Sequence, residues 1–342
     1  MRLVKQVVTV ASYSTKLLIG IIFYLISRKT PVFAYKSMIT LFCLTGGYSN
    51  DLISRSIAFF KKPYDLENVN GILGNMADRN LRTEIEHSLK ESGFHIFKNR
   101  LPESFCESLL EYATTHPCNT RPMDGESKDK TVATVYHRGS PQAVRYEFKT
   151  QDLLENPDVQ ELLADLSFAV IAQDYLGSRP IVDVIGMWWH TAYLDKPDKN
   201  AAQYYHFDMD RPKWLKFFIY LTDVKKTSGP HTFVVGSHKT RSIPPSMLKK
   251  GYARLADDEV ESFFGKKSVV EFVAPRGTII AEDTRGLHKA KHVTQDDRLV
   301  MQIQFSNSLF GGYYPNARMH QALPPNLHKV MKRFPGLYSA YI

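Results

Sequence analysis

Cysteine is scarce in this 342-residue chain: there are three, at positions 43, 106 and 118, and none stands in a C-x-x-C spacing. Neither a disulfide framework nor a zinc knuckle is suggested, and a reducing compartment fits best. Acid is in short supply too, with 35 Asp and Glu against 44 Lys and Arg, a formal charge of +9. Such an excess accompanies anionic partners such as nucleic acid, a lipid surface or a phosphorylated substrate. Here the lysines are scattered as pairs, at 225 with 226, 249 with 250 and 266 with 267, and are not massed in one block. A solvated surface is the simpler reading, and a nucleic-acid partner is not expected. There is no internal repeat. With 43% hydrophobic residues the chain can bury a large core and is not disordered. Its 18 Tyr and 20 Phe favour half-buried strands over long helices.

The uninterrupted apolar run from Leu17 to Ile26 is short of the roughly 20 residues a spanning helix needs. Arg2, Lys5 and Lys16 precede it and Arg28 and Lys29 follow, so loop charge gives no orientation. Basic residues directly after the run are a poor approach to a signal-cleavage site. A second apolar patch, Met38 to Leu44, is shorter still. Residues 1–50 therefore read as an interfacial anchor, holding a cytoplasmic enzyme peripherally at a membrane surface. The alternatives are a helix pair packed on the body, or a cleaved signal.

Beyond residue 50 the pattern divides into a helical lead-in (51–130), a strand-rich core (131–320) and a C-terminal tail (321–342). Leu81, Ile85 and Leu89 draw one stripe on a helix from Asp78 to Ser92, which Gly93 ends. A strand at 94–97 and a helix from Pro102 to Thr115 follow, the latter with Phe105, Leu109, Leu110 and Tyr112 on its buried side. Residues 116–144 read as a long mobile loop of the kind that covers active sites, and Asn156 to Leu176 as one helix stopped at Gly177. Short runs rich in Val, Ile, Trp, Tyr and Phe then recur at roughly ten-residue spacing, the mark of a sandwich or barrel. The expected strands are Ile181 to Thr191, Leu215 to Leu221, Thr232 to Val235, Val269 to Val273, Thr278 to Glu282 and Leu299 to Phe305.

His206 and Asp208 stand two apart, and on an extended chain such side chains share a face and can reach one metal ion. Alone, an H-x-D carries little, since a chain of this composition yields about 0.7 by chance. Its setting adds weight. It lies between two expected strands, and 80 residues later the loop after the strand at 278–282 presents His288, with Arg298 ten residues further at the start of another strand. Two imidazoles and a carboxylate on one face of a metal leave open sites, the arrangement of non-haem iron oxygenases. The planar guanidinium of Arg298 can grip a carboxylate with two parallel hydrogen bonds.

The chain resembles the phytanoyl-CoA dioxygenase family over roughly residues 79–310. The likeness rests on ESGFHIFKNRLPESF (91–105), DYLGSRP (174–180), YYHFDMD (204–210), SGPHTFVVGSHK (228–239) and PRGTIIAEDTRGLHKAKHVTQDDR (275–298), in that order and spacing. It implies a mainly β fold with flanking helices, a double-stranded β-helix or jelly roll. It also implies iron(II) held by His206, Asp208 and His288, with Arg298 clamping the distal carboxylate of 2-oxoglutarate. Dioxygen would be the co-substrate and ascorbate the reductant. Gly236 and His238 belong to a loop motif of the family and are not ligands. The departure is Gly-Pro-His at 229–231, where a small apolar pair is usual. The intact Asp208 implies oxygen insertion or desaturation, because related halogenating enzymes lack this carboxylate.

Rival positions remain at this stage. His292 shares the loop with His288 but would leave only six residues to Arg298. Asp210 is a contact around the metal or to substrate rather than a ligand, and His190 is a core histidine or a co-substrate contact. Trp188 and Trp189 alternate faces, so one lines the cavity. Arg145, Lys289, Lys291 and His292 suggest an anionic group near the mouth. The reading is a dioxygenase hydroxylating an unactivated C–H of a small organic molecule, anionic or lipid-linked: a coenzyme A thioester, a phosphorylated sugar or lipid, or a lipid headgroup. The competing classes are a redox-inert metal-binding jelly roll and a membrane-surface scaffold.

Overall fold

A computed structural model of the chain describes residues 2–66, 69–312, 317–319 and 323–342. The side chains of Arg2 and Lys5, and the expected boundary at residues 320 and 321, lie outside the described residues. Three helices open the chain, α1 (Arg2–Ser27), α2 (Val32–Thr45) and α3 (Tyr48–Phe60). A small hairpin of β1 (Asn70–Gly71) and β2 (Gly74–Asn75) leads to α4 (Arg79–Ser92), β3 (Phe94–Ile96) and α5 (Glu103–Thr115). Short strands β4 (Cys118–Thr120), β5 (Ala133–Thr134) and β6 (Arg145–Glu147) precede helices α6 (Thr150–Glu155), α7 (Pro157–Ala164) and α8 (Leu166–Leu176). Then come β7 (Ile181–Thr191), β8 (Trp214–Tyr220), β9 (His231–Val234), α9 (Pro245–Leu248), α10 (Asp257–Phe264), β10 (Val269–Glu271), β11 (Ile279–Glu282), β12 (His288–Ala290), β13 (Asp297–Ser306) and α11 (Pro325–Arg333).

The strands form an eight-stranded antiparallel sheet, ordered β3-β11-β8-β13-β7-β6-β4-β5, facing a smaller sheet ordered β10-β9-β12. The chain is a double-stranded β-helix with helices on one face of the large sheet. The expected strands are all present, with ends shifted by a residue or two. The long strands have two buried faces, which hides their period of two from the sequence. Leu215, Phe217 and Ile219 of β8 and Leu299, Met301 and Ile303 of β13 join the helices in one apolar core. The residues between them, among them Phe218, Tyr220 and Val300, face the smaller sheet.

Local signals explain the helix ends. Asp78 accepts from the backbone N–H of Asn80 and Leu81 at the start of α4, and Gly93 closes it at φ 93°. A Cβ on Gly93 would lie 2.7 Å from the Phe233 ring, so glycine also permits the approach of β9. The single helix expected over 156–176 is two. Asp165 breaks it, its extended backbone letting the carboxylate accept from the N–H of Ser167 at 2.8 Å and of Ile72 at 2.6 Å. Apolar periodicity runs on through the break, which is why the pattern shows one helix. The expected loop at 116–144 contains β4 and β5, which extend the large sheet.

The N-terminal helices divide in character. α1 crosses α2 at Gly20, where a Cβ would sit 2.0 Å from the Ala34 Cβ. α2 buries Met38, Leu41 and Phe42, and Phe42 stacks on Phe207 with ring centroids 5.3 Å apart. Asp51 of α3 pairs with Arg285 at 2.8 Å. The outer side of α1 stays bare: Ile22, Phe23, Leu25 and Ile26 are 52–82% exposed.

Candidate active site

His206 and His288 face each other across an isolated antiparallel bridge. The N–H of His206 donates to His288 O at 3.0 Å and that of His288 to His206 O at 2.9 Å. This pairing sets the two imidazoles side by side, with centroids 4.3 Å apart. Nδ1 of His206 lies 2.9 Å from Tyr204 O, and Nδ1 of His288 lies 3.0 Å from Gly286 O. A carbonyl only accepts, so each Nδ1 carries the proton and each Nε2 presents a lone pair. Burial holds both imidazoles below their ordinary pKa, which keeps them neutral near pH 7.

Both Nε2 atoms point toward Asp208, at 3.9 Å for His206 and 3.5 Å for His288. The ligand atoms of these three residues lie within 4.8 Å of one another. Burial alone would raise the Asp208 pKa, but the Lys216 ammonium outweighs it and holds the carboxyl well below its usual range. Lys216 Nζ bridges Asp208 Oδ2 at 2.5 Å and Asp210 Oδ2 at 3.0 Å, and Tyr252 Oη donates to Asp208 Oδ1 at 3.4 Å. Lys216 is buried, but its two carboxylates outweigh desolvation and keep it charged.

Arg298, 2% exposed, comes from β13 beside His190 of β7. Its Nη1 donates to Gly229 O, and its Nη2 donates at 2.8 Å to His190 Nδ1, which must therefore be unprotonated. His190 Nε2 then donates to Ala201 O at 3.0 Å. Burial and the two neighbouring arginines hold His190 far below its usual pKa. Arg298 Nε is buried and has no partner among the described residues.

A cavity of about 1080 Å³ joins these groups and is lined by His206, Asp208, His288, Arg298, Trp188 and Arg145. His190 and Asp210 also line it, His190 as a prop for Arg298 and Asp210 as the second partner of Lys216. Lys289 is not where the sequence reading put it. It alternates with His288 on β12, so it points the other way, to Asp257 Oδ2 at 2.5 Å and over the Tyr205 ring at 4.5 Å. Lys291 pairs with Glu271 at 2.7 Å, and His292 does not line the cavity.

Sequence reasoning missed Lys216, Tyr252, Arg254 and the buried pair of Glu282 with His231 at 2.9 Å. Lys216 had a signal: a single charge inside WLKFFIY must find a partner if the strand is buried. His231, the departure in the Gly-Pro-His segment, stands against Glu282, whose pKa burial pushes up to about 8 while the imidazole is pushed down to about 3. Burial thus favours the neutral pair. Tyr252 and Arg254 come from an irregular stretch between α9 and α10 that no periodicity marks.

The family model of phytanoyl-CoA dioxygenase matches residues 89–300. The chain belongs to the phytanoyl-CoA dioxygenase family. As a family member it is an iron- and 2-oxoglutarate-dependent oxygenase in type. No curated protein matches it. Among solved structures it is similar to EctD from S. alaskensis in its apoform, at 16% identity and a TM-score of 0.50, over 77% of this chain and 92% of that one. It is also similar to the non-haem alpha-ketoglutarate-dependent epimerase SnoN from nogalamycin biosynthesis (17% identity, TM-score 0.49, 67% and 84% covered). A third is HygX from Streptomyces hygroscopicus with nickel and 2-oxoglutarate bound (14%, 0.47, 68% and 89%). The EctD likeness bears on the fold.

The residues of this phytanoyl-CoA dioxygenase family member fit a divalent metal. Two neutral imidazoles with free lone pairs and one anionic carboxylate, converging on one point, suit iron(II). The unpartnered Nε of Arg298 fits the far carboxylate of an oxo-acid.

Proposed function

We propose that the protein hydroxylates an unactivated C–H of a small organic molecule, using iron(II) held by His206, Asp208 and His288 and 2-oxoglutarate gripped by Arg298. The observation that carries this reading is three convergent donors and a buried, partly unpaired guanidinium on the walls of one cavity. When bound, iron and 2-oxoglutarate together activate dioxygen, with succinate and carbon dioxide as the co-products.

The protein's own part is positional. The His206–His288 backbone bridge fixes the angle between the two rings, and the Nδ1 hydrogen bonds fix their tautomers. Lys216 keeps Asp208 anionic, and His190 and Gly229 O hold the Arg298 fork. Trp188, Phe218 and Val300 supply an apolar wall that keeps water from the reacting carbon. A redox-inert metal site would have no use for the oxo-acid clamp. The test is succinate release with purified protein, iron and ascorbate against a metabolite panel, with hydroxylated product identified by mass; 2-oxoglutarate that neither binds nor turns over would contradict it.

We further infer that α1 lies on a membrane surface. Val7–Ser27 is long and apolar enough to span and little of it is buried, yet Leu17 and Tyr24 pack on the body. The anchor read over residues 1–50 thus narrows to α1, because α2 and α3 grip the segments that carry His206, Asp208 and His288. Partial release of the full-length chain from anionic vesicles by salt supports this; a chain that never pellets with them contradicts it.

A further inference from the structure

Part of the cavity wall has no task in oxo-acid chemistry. Among the described residues, seven cationic side chains and four carboxylates line the cavity. Three of the cations, Arg121, Lys128 and Lys149, are exposed at the rim, and the other four stand inside. The excess is not spread evenly.

Arg145 of β6, His190 of β7 and Arg298 of β13 stand in one register across three neighbouring strands and share a face. Strands lie about 4.8 Å apart, so Arg145 starts roughly 10 Å from the clamp. Its guanidinium lies over the Trp188 ring at 4.5 Å, and its Nε is 2.7 Å from Glu147 Oε1. Glu147 is shared, since Arg121 reaches the same oxygen at 2.6 Å. One carboxylate thus serves two guanidiniums. Arg254, from the stretch between α9 and α10, adds a third, and its Nη1 is buried with no partner among the described residues. Burial depresses Arg145 to about 10 against the pull of Glu147, with Arg121, Arg298 and Arg254 adding repulsion. Guanidiniums gathered in this way repel one another unless an anion lies among them.

We propose that Arg145 and Arg254 form a subsite for the dianionic head of the substrate, a phosphomonoester group, held two strands along the sheet from the 2-oxoglutarate clamp so that a carbon remote from the head meets the metal. The proposal rests on the oxygenase reading only for the metal and the clamp beside which it places the head. Two planar forks suit a tetrahedral oxyanion with several acceptor atoms, whereas a monocarboxylate has two acceptor oxygens in one plane and matches one fork.

The test uses the full-length chain loaded with nickel(II) and 2-oxoglutarate, with phenyl phosphate and benzoate as probes in calorimetry. Phenyl phosphate should bind, with benzoate at least about tenfold weaker. Arg254→Met and Arg145→Met should each weaken phenyl phosphate by about tenfold to a hundredfold, the range for a charge-assisted contact. Arg254→Lys should recover part of that loss. Arg254 lies outside the sheets, so its variants are readable even if Arg145→Met fails to fold. Unchanged phenyl phosphate binding in the Arg254 variants, equal binding of the two probes, or displacement of phenyl phosphate by added 2-oxoglutarate would each overturn the subsite. Wild-type protein that binds phenyl phosphate at these arginines but binds no 2-oxoglutarate would support the subsite and defeat the oxygenase reading instead.

Discussion

The two faces of strands β7, β8 and β13 are both largely buried and differ in their charge. Toward the helices they present Met187, Trp189, Phe217, Ile219, Met301 and Ile303, an apolar layer. Toward the cavity the same strands present His190, Lys216, Arg298 and Gln302, of which His190, Lys216 and Arg298 each have a named hydrogen-bond partner. One face supplies stability through burial. The other accepts desolvation of charge and places it, by strand register, around one point. A substitution on each face should therefore fail in its own way.

The largest effect expected is on the cavity face. His288→Ala should abolish metal-dependent 2-oxoglutarate consumption while thermal unfolding stays near that of the wild type. Phe217→Ala on the helix face should reverse this, losing about 3–5 kcal/mol in denaturant unfolding with the donors left in place. If Phe217→Ala lost metal binding at wild-type stability, the division would be wrong. Next comes Arg298→Lys, which keeps charge but loses the fork. Its apparent affinity for 2-oxoglutarate should fall by about one to two orders of magnitude, and an unchanged dependence would move the clamp elsewhere.

Lys216→Met should weaken divalent-metal binding by about tenfold to a hundredfold, as partners of metal ligands do. The sign of its pH effect is set by Asp208. Lys216 helps hold that carboxyl below its usual range, so its removal raises the Asp208 pKa and metal loss on acidification should begin at higher pH. A metal-binding profile unmoved along the pH axis would show that Lys216 does not act through Asp208.

The smallest effect concerns stability against pH. Burial depresses the pKa of His190 and of His231, the latter to about 3. Below pH of about 6.5 the unfolded chain takes up protons at these imidazoles that the folded chain refuses. Their contribution is therefore present above pH 6.5 and lost as pH falls toward the folded values. Glu282, raised to about 8, acts oppositely between its ordinary value and that pH, so the acid-side slope should steepen in Glu282→Gln. Denaturant titrations of wild type and Glu282→Gln from pH 7.5 to 5, a range of roughly one unit either side of the histidine reference, would show it; stability of Glu282→Gln flat across that range would contradict neutral buried imidazoles.

Much of this architecture was legible in the sequence. The strands from Ile181 to Phe305 were, because aromatic and β-branched runs end at Gly, Pro and Asp clusters. His206, Asp208, His288 and Arg298 were, because their spacing sets two ligands on one extended segment and the others beside later strands. What stayed hidden depends on contacts between distant segments. Phe42 on Phe207 and Asp51 on Arg285 tie the N-terminal helices to the segments that carry His206, Asp208 and His288 across more than 160 residues of chain. An apolar stretch destined for such packing looks like one destined for lipid. Asp165 likewise breaks a helix in order to reach Ile72, a need that no local pattern expresses. Lys289 was misplaced because the alternation that turns it away depends on where β12 begins, and one residue of register reverses the face.

The central claim is that His206, Asp208, His288 and Arg298 assemble a chelated oxo-acid complex. Anaerobic addition of iron(II) and 2-oxoglutarate to the full-length chain, followed by visible absorption, tests it directly through the charge-transfer band that appears when an oxo-acid chelates ferrous iron through its keto and carboxylate oxygens. The account predicts a band that needs both additions, is absent in His206→Ala and His288→Ala, and in Arg298→Lys appears only at raised 2-oxoglutarate. No band in the wild type, or an undiminished band in His288→Ala, would contradict it.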